Sequence, residues 1–77
     1  MDQQEQVRDL LRTIRRKAGI AQFKLAKLTG IARSQLSEFE SGYIDLSPEK
    51  LAAVKLALIE VAGQQVDEAL AVAIRVA

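Results

Sequence analysis

Residues 21–42 read AQFKLAKLTGIARSQLSEFESG, and the reading of this stretch decides the fold. It holds two short helical patterns with only Gly30-Ile31 between them. A helix is predicted over about Gln22–Thr29, with Leu25, Ala26 and Leu28 available to a core. Another is predicted over about Arg33–Ser41, burying Leu36 and Phe39, with Gly30 ending the first and Gly42 the second. Helices of about eight residues do not hold themselves together in water, so packing against the rest of the chain must justify them.

Outward from this stretch every segment reads as helix, and no alternating strand pattern occurs. Val7, Leu10, Leu11, Ile14 and Ala18 follow the i, i+3, i+4, i+7 spacing of a helix with one buried face. Asp2 and Glu5 have the spacing of a capping box at its start, and Gly19 is placed to stop it. After a loop, Tyr43-Ile44-Asp45-Leu46, Ser47 is a good N-cap and Pro48 suits the first helical position. That fourth helix is expected to carry Leu51, Val54 and Leu58 inward to about Ala62, where Gly63 interrupts it. A fifth, about Gln65–Val76, puts Val66, Leu70, Ala73, Ile74 and Ala77 on one face. The expectation is an all-α domain of five short helices over residues 1–77.

The chain has neither cysteine nor histidine, which excludes disulfides and removes the commonest zinc ligand and the commonest general base. No phosphate-cradling glycine loop and no carboxylate cluster spaced for a metal or an acid/base pair occurs. The expectation is therefore no enzyme, no catalytic residue, no metal, no cofactor and no small-molecule substrate. The first six residues are polar and acidic, unlike a signal peptide, and the longest apolar run is six residues, Ala69–Ile74. A soluble cytoplasmic protein without a membrane partner is the corresponding expectation.

A net charge of +1 divides unevenly along the chain. Residues 7–33 hold eight basic side chains (Arg8, Arg12, Arg15, Arg16, Lys17, Lys24, Lys27, Arg33) and one acid, Asp9. Residues 34–77 hold seven acids against Lys50, Lys55 and Arg75. A basic first half suggests a polyanion facing one side of the molecule; the alternative is a solvated face that only keeps the protein soluble. Arg16 and Lys17 can lie near such a polyanion or simply complement the dipole of the first helix.

Two short helices joined by a glycine-containing turn match the helix-turn-helix arrangement, whose second helix presents its N-terminal residues to base edges in DNA. Within this arrangement GIAQFKLAKLTGIARSQLSEFESG, residues 19–42, resembles the lambda-repressor-like, Cro/XRE-type helix-turn-helix family. The matching positions are Gln22, Leu25-Ala26, Gly30-Ile31, Ser37 and Glu40-Ser41-Gly42, and the family-like core spans about 7–62. The resemblance implies that Ala26, Ile31, Leu36 and Phe39 are core. It also implies that Arg15 and Glu40 form a structural ion pair between helix one and the end of helix three. By the same positional match Arg33, Ser34, Ser37 and Glu38 face the major groove. Arg33 can bridge guanine O6 and N7, and Glu38 can accept from cytosine N4 or remain an ordinary surface residue. Gln22 is implied as a phosphate contact, with Lys24, Gln35, Ser41 and Tyr43 as companions that hold register without reading sequence; the alternatives are a solubilising role for Lys24 and packing over the loop for Tyr43.

Two departures from the family pattern bear on affinity. The cap positions of helices two and three are Ala21 and Ala32 instead of Ser or Thr, and the loop after Gly42 lacks basic residues. A modest grip per monomer argues for a dimer. Nineteen of the thirty residues 48–77 are apolar, and Leu56, Ile59, Val66, Leu70 and Ile74 can form a second apolar surface for a second copy, unless helix five folds back over it. A homodimer would read a near-palindromic operator in double-stranded DNA. The implied function is a sequence-specific transcriptional repressor or regulator of phage, plasmid or bacterial type. The alternative is an antitoxin-like protein whose C-terminal surface (residues 64–77 and helix four) binds a partner protein.

Overall fold

A computed structural model of the chain describes residues 4–64, 72 and 74–76. Four helices are assigned: α1 (Glu5–Lys17), α2 (Gln22–Thr29), α3 (Arg33–Glu40) and α4 (Pro48–Gln64). Residues 72 and 74–76 are helical too, and no strand occurs among the described residues. The described residues are all-α. α1 packs on α3 and α4, and α2 packs on the same two helices from another side.

α1, α2 and α3 each stop where a glycine takes positive φ. After α1, Gly19 is left-handed (φ 72°), and its N–H bonds to the Arg16 carbonyl while the Ile20 N–H bonds to that of Arg15. This is the paired closure of a Schellman motif. The same closure ends α3. There Gly42 (φ 87°) donates to the Phe39 carbonyl and Tyr43 to that of Glu38.

The core joins all the elements: Leu11 and Ile14 of α1, Ile20, Leu25 of α2, Ile31 of the turn, Leu36 and Phe39 of α3, Leu46, and Val54, Ala57 and Leu58 of α4. Burying such a side chain contributes about 1.5–3 kcal/mol each, which is what short helices of weak intrinsic stability require. α4 opens as its sequence implies: the Lys50 N–H donates to Ser47 Oγ at 3.3 Å and Pro48 is the first helical residue.

Four expectations are corrected. Leu28 is exposed on α2 instead of buried: of this helix Leu25 enters the core with Ala26 packed against it, and the last turn, which carries Leu28, does not reach it. The capping box at Asp2 and Glu5 gives way to an N-cap at Gln4 with Glu5 as first helical residue; Asp2 lies outside the described residues. Gln4 turns its amide across the molecule, donating from Nε2 to the Leu46 carbonyl at 2.8 Å and accepting the Leu46 N–H on Oε1 at 3.0 Å. Gly63 does not interrupt α4, which continues to Gln64; a helical glycine costs only about 1 kcal/mol relative to alanine. Ile74, expected on a surface for a second copy, is fully buried (0 % exposed) in the monomer's own core, so this segment returns over the body of the protein. Val66, Leu70, Ala73 and Ala77 of the expected fifth helix lie outside the described residues.

Candidate nucleic-acid interface

α3 separates its side chains into two arcs. At about 100° per residue, Arg33, Ser34, Ser37 and Glu38 fall within about 140° of one another, Leu36 and Phe39 lie on the far side, and Glu40, in the last turn, borders the polar arc. Burial follows this division. Leu36, Phe39 and Glu40 are buried, Arg33, Ser34 and Glu38 are exposed, and Ser37 is half-buried. The apolar residues of α3 thus anchor a helix whose other face is polar and available.

The attachment of that helix is set by a buried ion pair. Arg15 Nε donates to Glu40 Oε2 at 2.7 Å and Arg15 Nη2 to Glu40 Oε1 at 2.8 Å, a two-pronged pairing. The third arm, Nη1, donates to the Ile20 carbonyl at 2.7 Å. Arg12 Nη1 adds a bond to the Glu40 carbonyl at 3.2 Å. Gln22, the first residue of α2, donates from Nε2 to Glu40 Oε1 at 3.1 Å. One carboxylate therefore ties α1, the turn after it, α2 and the end of α3.

A second arginine does comparable work, and the sequence reading counted it only as positive charge. Arg8 is 4 % exposed. It lies over the Phe39 ring at 5.1 Å, and its Nε donates to the Phe39 carbonyl. Its Nη2 reaches the Ile44 carbonyl at 3.2 Å and Asp45 Oδ1 at 2.9 Å. It straps the loop after α3 to α1. The signal was present: Arg8 stands at i−3 from Leu11 and i−7 from Arg15, on the buried stripe of α1. Among the described residues no buried side-chain nitrogen or oxygen lacks a partner.

These inward uses redistribute the charge. Of the eight basic residues in 7–33, Arg8 and Arg15 are committed to the interior, and Arg12 is half-buried with Asp9 and the Glu40 carbonyl as partners. Arg16, Lys17, Lys24, Lys27 and Arg33 remain exposed. The outward charge is smaller than the sequence suggests and is carried by the end of α1, by α2 and by the first residue of α3.

The other candidates divide as follows. Lys24 and Ser41 are exposed, and Tyr43 is 82 % exposed, so it does not pack over the loop. Gln35 is half-buried and accepts from Lys50 Nζ at 3.1 Å, which links α3 to the first turn of α4. Ala21 and Ala32 are the N-caps of α2 and α3 and make no side-chain cap bond. Leu56 is 60 % exposed, whereas Ile59 is half-buried against the core. No group of acidic residues placed to hold a metal occurs among the described residues, and none of their helices is long and apolar enough to cross a membrane.

A buried, internally paired scaffold presenting one short polar helix after a glycine turn is the construction of a helix-turn-helix domain. The profile of the helix-turn-helix family of Cro/C1 type matches residues 11–58, well over half the chain. The chain belongs to this family of DNA-binding transcriptional regulators. No curated protein and no solved structure matches it.

Proposed function

We propose that the protein is a sequence-specific repressor that binds an operator in double-stranded DNA as a homodimer, with α3 in the major groove. The observation that carries this reading is the exposed arc of α3, with Arg33 and Ser34 at its N-terminal end, opposite a fully buried attachment. α3 is about 12 Å long at 1.5 Å per residue, close to the width of the major groove. Arg33, Ser34, Ser37 and Glu38 face base edges, with Arg33 bridging a guanine. Gln22, Lys24, Ser41 and Tyr43 contact phosphates, and Gln35 does so together with its partner Lys50. Repression follows from occupying the operator and excluding polymerase, without catalysis.

For the dimer, Ile74 is spent on the monomer's interior, and the exposed large apolar side chains of α4 and the described C-terminal residues are Leu56, Val72 and Val76. Val72 and Val76 are four residues apart and share a helix face turned away from Ile74. A second copy of the chain covers them. The test is a titration with duplex DNA followed by amide chemical shifts, combined with sedimentation of the free protein. Shifts concentrated at 22–24, 33–38 and 41–43 and a dimeric mass support the proposal; shifts confined to α4 and the C-terminal segment would overturn it.

A further inference from the structure

We infer that Glu40 is a positioning residue for DNA binding: it holds the Gln22 amide in the one orientation that offers an N–H to a phosphate. This rests on the reading of Gln22 as a phosphate contact and adds how that contact is prepared.

The argument is one of donors and acceptors. An ionised carboxylate only accepts, so the Gln22 atom that meets Glu40 Oε1 at 3.1 Å must be Nε2. A primary amide carries two N–H groups, and one of them is now engaged. Among the described residues the Gln22 side chain makes no other hydrogen bond, which leaves its second N–H for an outside acceptor. Without Glu40 the amide could rotate and turn Oε1 outward, where it would repel a phosphate oxygen. Glu40 cannot itself drift, because Arg15 grips both of its oxygens and Arg15 is in turn fixed to the Ile20 carbonyl. Ile20 lies two residues before Gln22, so the same arginine fixes both the acceptor and the backbone that carries the donor. The buried pair therefore prepares a contact on the surface as well as supporting the fold. Such preparation lowers the ordering cost of binding.

The experiment is a double-mutant cycle on affinity for a short random-sequence duplex at low salt, since a phosphate contact does not depend on sequence. Gln22→Ala is measured in the wild-type protein and in an Arg15→Met, Glu40→Leu background, which removes the acceptor while leaving no unpaired buried charge. The expected loss is about fivefold in the wild type, the size of one good hydrogen bond, and under twofold in the apolar background. Glu40→Gln, which keeps an acceptor oxygen, restores part of the difference. The same loss in both backgrounds overturns the inference. If Gln22→Ala changes nothing in the wild type, the phosphate reading of Gln22 fails first, and this inference with it. A second measurement needs no variant. In the free wild-type protein one Gln22 side-chain amide proton exchanges slowly, and adding duplex shifts the other while the first keeps its protection. Loss of that protection on binding would show Gln22 leaving Glu40, and would overturn the inference even if the variants do not fold.

Discussion

Arg15 and Glu40 stand 25 residues apart in sequence and meet in a two-pronged ion pair at 2.7 and 2.8 Å, both side chains buried. The pair sets the angle at which α3 leaves the scaffold, because it grips the last residue of that helix while α1 holds the other partner.

Breaking one side of this pair leaves an uncompensated charge in the interior. Arg15→Met or Glu40→Leu alone is expected to cost about 3–5 kcal/mol in urea denaturation. The double substitution should cost far less than the sum of the two, since no buried charge remains. Additive losses would contradict the assignment of the two residues to one interaction.

Arg8 makes a separate prediction. Arg8→Leu removes its bonds to the Phe39 and Ile44 carbonyls and to Asp45, leaving the Phe39 carbonyl with the Gly42 N–H alone and Asp45 facing water. A loss of about 2–4 kcal/mol is expected, with faster amide exchange over residues 43–46. An unchanged denaturation midpoint would show that the loop is held by other contacts, chiefly those of Gln4 to Leu46.

The turn at Gly30 takes φ 75° with nothing within 4 Å of where a Cβ would stand, so the cost of a side chain there is purely one of backbone conformation. Gly30→Ala should lower stability by about 1–2 kcal/mol. Gly30→Asn should lose less, because asparagine tolerates this region better. Equal losses for the two would point to a steric cause instead.

Ala32 caps α3 in an extended conformation (φ −59°, ψ 139°) without a side-chain acceptor. Ala32→Ser should stabilise by about 0.5–1 kcal/mol by satisfying a free N–H of the first turn. A calorimetric Tm several degrees higher is the expected reading; a lower one would mean that the serine cannot reach that turn.

The spacing of Leu11, Ile14, Leu36, Phe39, Val54 and Leu58 carries the fold openly, because each sits on the apolar stripe of its own helix. Gly19, Gly30 and Gly42 mark three of the boundaries for the same local reason. The departures arise where partners are distant in sequence. Nothing near Gln4 announces that its amide belongs to Leu46, and nothing in a run of arginines says which ones turn inward. Arg8 and Arg33 look alike as letters and have opposite fates. Leu28 and Ile74 fail in the other direction: both fit a stripe, yet only Ile74 meets a complementary surface in the monomer. The arc of Arg33, Ser34, Ser37 and Glu38 comes from the family resemblance, while the spacing of Leu36 and Phe39 marks only the buried side of α3.

The most direct measurement is selection of binding sites from a random double-stranded library with the wild-type protein and with Arg33→Ala. The expected result is an enriched inverted repeat whose preference at one base position per half-site disappears in the variant, a change worth about 1–3 kcal/mol at that position. Absence of any enriched sequence, or an unchanged preference in Arg33→Ala, would contradict the claim that α3 reads the major groove through its first residue.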